Sequence, residues 1–233
     1  MTKLFLTITI LFFSGITMAD INSGIESYNK GNYAVAYTEF ENASQSGDAF
    51  GHHLLASLYY QGHGVEKNIP KAVKLFERAT SQGYAPSHAN LGLMYHSGDG
   101  VEPNSEKALF HYSEAAKTGD FQSSYNLGQI FRKGWHDVDL SYEKAASYYR
   151  FGAEYGHVSS VNEYALMFAQ GQGVSNDFVE AYAWMQYAAE QGNPSAVKNL
   201  AQLVEIIENQ GKLKQAISRA TAVNAQIAVK SAE

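Results

Sequence analysis

The chain has 233 residues, 45% hydrophobic and 17% charged, a balance that suits a folded core and leaves no polar tract long enough to stay disordered. Its formal charge of -6, with no lysine–arginine cluster, disfavours nucleic acid and anionic membrane surfaces as partners. Cysteine is absent, which excludes disulfides, thiolate metal sites and cysteine nucleophiles.

The first nineteen residues read as a targeting segment. Lys3 is a short basic start, Leu4 to Phe13 form an apolar run, and Thr17-Met18-Ala19 has the small–any–small pattern of a signal-peptidase site. Cleavage is expected between Ala19 and Asp20, giving a periplasmic or secreted protein with no membrane attachment in its mature form. The apolar run is too short to span a bilayer comfortably.

From Asp20 onward the chain is periodic. Ile21 to Tyr28 read as a short helix, and Gly31-Asn32-Tyr33 leads into Ala36, Phe40 and Ala43, an apolar helical face. Gly47, Gly83, Gly119, Gly156 and Gly192 then recur at steps of 36, 36, 37 and 36 residues, a spacing characteristic of stacked repeat units. Each unit has a middle glycine (Gly62, Gly98, Gly134, Gly171) and a valine shortly after it (Val65, Val101, Val138, Val174). Glycine there can end one helix and turn the chain into the next. Three residues after each valine stand Asn68, Asn104, Ser141 and Asp177, all preferred N-cap types.

Each unit therefore reads as a helical hairpin. First helices carry Leu55 and Tyr59, Leu91 and Tyr95, Leu127 and Phe131, then Tyr164 and Phe168. Second helices carry Ala72, Phe76 and Ala79, with counterparts at Ala108, Tyr112 and Ala115, at Ala145, Tyr149 and Gly152, and at Ala181, Met185 and Ala188. The third unit departs from the pattern: Trp135-His136 replaces the second glycine of the turn and one residue is added, so a wider loop is expected from Trp135 to Asp139. Downstream, Ala196, Leu200 and Leu203 begin a longer helix, and Lys212 to Val229 form a polar-faced cap. The frame divides the chain into a leader (1–19), a partial repeat (20–47), four repeats (48–83, 84–119, 120–156, 157–192) and capping helices (193–233).

The string Ala89-Asn90-Leu91-Gly92-Leu93-Met94-Tyr95, followed by Gly98-Asp99-Gly100-Val101, Lys107-Ala108 and Ala115-Ala116 up to Gly119, resembles the Sel-like repeat, a relative of the tetratricopeptide repeat. The similarity runs from about Gly31 to Ala201. It implies an all-α fold, a right-handed α-solenoid of stacked antiparallel helix hairpins with first helices on the concave side. It also implies a non-enzymatic adaptor or scaffold, since members of the family act in envelope assembly, signalling and host interaction, and several are immunity partners of periplasmic toxin enzymes.

Two fragments imitate a serine enzyme of the penicillin-recognising class, Ser141-Tyr-Glu-Lys144 and Lys117-Thr-Gly119. The repeat frame absorbs both: Ser141 is a helix cap, Lys144 matches Lys71 and Lys107, and Gly119 ends a unit. The eight histidines show no metal-ligand spacing on one helix. No catalytic residue, metal or cofactor is expected, and an enzyme acting on cell-wall material is the different-class alternative.

Packing leaves a stripe on the first helices for a partner protein, mostly polar and uncharged. Its candidates are Asn90 and Leu93, then Asn126, Gln129 and Lys133, then Glu163, then Asn199. The recurring asparagine, a poor helix former, can hydrogen-bond a bound segment or brace neighbouring units. Arg132, Trp135 and His136 on the irregular loop are a second candidate contact, with Trp135 free to anchor a partner or to fold back into a gap. The expected partner is an envelope protein or a toxin enzyme, bound by a monomer.

Overall fold

The computed structural model describes residues 20–232, so the leader expected at 1–19 lies outside the described residues. The described chain is all α-helical and falls into two compact units, one ending at Gln82 and one beginning at Gly83.

The first unit holds α1 (Ile21–Asn29), α2 (Tyr33–Gln45), α3 (Ala49–Gln61) and α4 (Ile69–Ser81). Each helix packs on the next, and Phe40, Leu58 and Phe76 fill the centre. The second unit holds α5 (Pro86–Ser97), α6 (Ser105–Lys117), α7 (Phe121–Lys133), α8 (Tyr142–Glu154), α9 (Val158–Gln170), α10 (Phe178–Glu190), α11 (Pro194–Asn209) and α12 (Leu213–Lys230). Here α5 pairs with α6, α7 with α8 and α9 with α10, and the hairpins stack on one another, the arrangement of an α-solenoid.

Local chemistry explains where the helices start. The side chains of Asn68, Asn104, Ser141 and Asp177 accept from the backbone N–H groups of Lys71, Lys107, Lys144 and Glu180, at 2.8–3.3 Å. Such a cap is worth about 1 kcal/mol. First helices have a capping series of their own, with Asp48, Asp120 and Asn193 accepting from Gly51, Ser123 and Ala196. The unit-closing glycines all have φ between 76° and 88°.

Packing between helices depends on small residues facing large ones. Ala72, Ala108, Ala145 and Ala181 are completely buried, as is the Tyr149 ring. Gly128 of α7 is the notch that admits this ring: a Cβ there would lie 2.4 Å from Tyr149 Cε1. Burying each such ring contributes about 2 kcal/mol.

The third-unit loop is tighter than its extra residue suggests. Trp135 and Val138 exchange two backbone hydrogen bonds, 3.2 and 2.8 Å long, and His136 takes a left-handed φ of 50° between them. Val138 and Trp135 both pack against the core. The added residue is thus absorbed by a closed turn, which leaves no wide loop.

Candidate interaction surface

The first helices of the second unit bring part of the sequence-derived stripe together. On α7, the Arg132 guanidinium forms an ion pair with Glu163 of α9 and donates from Nη2 to Gln170 Oε1 at 3.3 Å. The second oxygen of Glu163 accepts from Asn162 Nδ2 at 3.3 Å. One turn before Arg132, Gln129 donates to the Tyr125 hydroxyl at 2.9 Å. Burial, with the Glu163 charge second, raises the Tyr125 phenol above its ordinary pKa.

The asparagines are not equivalent. Asn126 accepts from Gln122 Nε2 at 3.1 Å and hydrogen-bonds the hydroxyl of buried Tyr112, so it braces α7 against α6. Asn90 turns back to the Pro86 carbonyl at 3.5 Å, the limit of a hydrogen bond, and is half-buried. Asn199 is half-buried on α11. Leu93, 45% exposed, is the apolar member of the stripe, and Lys133, at the repeat position of Ser97, is exposed at the end of α7.

The second candidate contact divides. Arg132 belongs to the stripe through Glu163, whereas Trp135 turns away to stack edge-on against His96 of α5, ring centroids 4.5 Å apart. Burial and then the nearby His136 hold the His96 imidazole below its usual pKa. His136 remains exposed and lines a recess of about 530 Å³ with Asn104, Ser105 and Asp137. The Asp137 carboxyl is lowered chiefly by a hydrogen bond with Ser105, which ties the loop to the start of α6. The meeting of His96 with Trp135 depends on the stacking of two hairpins, which no local pattern in the sequence announces.

The fragments that imitate a serine enzyme serve the fold. Ser141 caps α8, and the Lys144 ammonium lies over the Phe131 ring, 4.9 Å from its centroid. In the first unit, Ser44 Oγ and His52 Nδ1 lie 2.6 Å apart, but both residues are buried where no substrate reaches, so the pair joins α2 to α3. Among the described residues no group of three or more His, Cys, Asp or Glu side chains gathers to hold a metal ion. No described helix is long and apolar enough to cross a membrane.

The arrangement matches a known repeat. The Sel1 repeat matches residues 49–84, 85–120, 122–157 and 158–193. No curated protein is significantly similar to the chain in sequence. Among solved structures, a Sel1 repeat protein from Oxalobacter formigenes is 27% identical with a TM-score of 0.66, over 73% of this chain and 49% of that one. The chain thus spans about half the length of that relative. A protective antigen of uropathogenic Escherichia coli with an SLR fold is 20% identical over 90% of this chain and 61% of its own, with a TM-score of 0.42. An immunity protein from Pseudomonas aeruginosa is 18% identical over 87% and 83%, with a TM-score of 0.46. With four repeats matched, each folded as a helix hairpin, the chain belongs to the Sel1 repeat family.

Proposed function

We propose that the protein is an exported, non-catalytic interaction module that holds a partner protein on the first-helix face of its second unit. Repeats of this family typically serve as protein-interaction scaffolds. What supports the site is the polar set on α7 and α9, where Gln129, Arg132, Glu163 and Gln170 remain reachable by solvent after packing is complete. Exposed Leu93 adds an apolar contact at its edge. Export rests on the leader, and cleavage near Ala19 is tested by the mass of the mature protein in the periplasmic fraction.

A pull-down from the native envelope fraction, with mass spectrometry, identifies the partner. Leu93→Asp and Gln129→Arg should then weaken binding at least tenfold while leaving the melting temperature within a degree or two. Full affinity in both variants overturns the assignment of this face. The net charge of -6 favours a basic partner, which gives the immunity role its footing as a second reading. That reading requires the purified chain to inhibit a toxin enzyme encoded beside it, and retained toxin activity eliminates it.

A further inference from the structure

Away from the stripe, the α5/α6 hairpin brings together two histidines 23 positions apart in sequence, a spacing that matches no metal motif. His88, in the first turn of α5, and His111, in the middle of α6, place their Nδ1 atoms 2.8 Å apart. Their ring centroids are 5.0 Å apart, nearly as far as that nitrogen distance allows, so the two nitrogens point at one another. The His111 ring lies parallel to Tyr95, at 3° and 5.8 Å, and both histidines meet the edge or face of Phe110. Both are half-buried.

We infer that His88 and His111 together bind a divalent first-row transition-metal ion of the imidazole-preferring class, with Cu²⁺ foremost, through their Nδ1 atoms. Neutral imidazole is the commonest protein ligand for such ions, and tetragonal nitrogen–oxygen coordination suits Cu²⁺, which also stands highest in the affinity order. With metal–nitrogen bonds of about 2.0–2.1 Å, two ligands at a right angle stand about 2.9 Å apart. The separation in the structure is 2.8 Å, close to that spacing. The rings must only swing off their common line to face the ion.

The protonation state favours this. Burial lowers both imidazoles, His111 to about 4, so both are neutral at pH 7. In the metal-free pair one Nδ1 carries the shared hydrogen. On coordination that proton passes through solvent to Nε2 of the same ring, with no net release. The Glu114 charge acts on both rings, although its carboxylate is paired with Lys117, and Lys107 acts on His111 in the opposite sense. No third His, Asp or Glu already converges on the pair among the described residues, so water fills the remaining positions and the ion is exchangeable.

The test is a Cu²⁺ titration of the full chain, followed by electron paramagnetic resonance and by the ¹⁵N resonances of the histidine rings. One ion per chain, two imidazole nitrogens in the copper spectrum, and paramagnetic loss of the His88 and His111 ring signals before those of any other histidine are expected. His88→Gln and His111→Gln should each weaken binding at least tenfold, and His157→Gln should leave it unchanged, with melting curves confirming that each variant folds. The wild-type ring resonances decide the matter even where a variant does not fold. A copper spectrum lacking two imidazoles, or undiminished binding in the double variant, reduces the pair to a hydrogen bond and overturns the inference.

Discussion

Two glycines with the same handedness of φ occupy very different surroundings. Gly173, at φ 68°, would bring a Cβ to 2.1 Å from the carbonyl oxygen of Tyr142 and 2.7 Å from the Glu143 nitrogen, both rigid backbone at the start of α8. Gly192, at φ 80°, has nothing within 4 Å of that position. Gly192→Ala therefore meets only the left-handed strain, about 1–2 kcal/mol. Gly173→Ala meets the same strain plus a backbone collision, and should destabilise by at least about 2 kcal/mol more, since the turn and α8 must separate. Urea unfolding of the two variants checks this. Equal losses would mean that the turn and the α8 start are not in contact in solution.

At the scale of the helix, the repeat register reveals how the C-terminal cap is held. Lys71, Lys107 and Lys144 occupy one repeat position, and their ammonium groups lie 4.1–4.9 Å from the ring centroids of Tyr59, Tyr95 and Phe131. The fourth unit has Glu180 there, reversing the charge. Arg219 of α12 answers it with two hydrogen bonds to the carboxylate, 2.6 and 3.1 Å long, and Trp184 Nε1 donates to the same group at 3.3 Å. The cap packs mainly on α10 and not on its sequence neighbour α11, and its far end reaches α8, where Ser231 donates to the Tyr155 carbonyl. Arg219→Ala should raise hydrogen exchange across α12 while α9 stays protected. A double-mutant cycle with Glu180→Gln should give a coupling of about 1–2 kcal/mol, above an exposed pair because the carboxylate accepts from three donors. A coupling indistinguishable from zero would show that apolar contacts alone seat the cap.

Across the whole molecule, features set by neighbours in sequence were legible, whereas those set by neighbours in space were hidden. The caps at Asn68, Asn104, Ser141 and Asp177 depend on two or three following residues, and the buried alanine faces on a 3.6-residue period, so both could be read from the chain. The Arg132–Glu163 pair and the Trp135–His96 stack depend on which hairpin lies beside which, and the facing His88 and His111 on how the two helices of one hairpin are set against each other. The same packing gives both units an acid weakness. Burial lowers His53 in the first unit and His111 in the second to about 4, well under the ordinary histidine value of 6.5. As pH falls through 6.5 the unfolded chain takes up these protons while the folded chain refuses them, so stability is lost between about pH 6.5 and 4. Below that window both states are protonated and the histidine contribution to the slope ends. The carboxyls of half-buried Glu114 and exposed Asp137, held low by Lys117 and Ser105, act at more acid pH, where protonation removes their stabilisation. The melting temperature should be flat between pH 7 and 8 and decline from pH 6.5 to 4. In the double variant His53→Gln with His111→Gln, the difference between pH 8 and pH 4 should shrink even where packing losses lower both values. An undiminished difference would trace the acid loss to other groups.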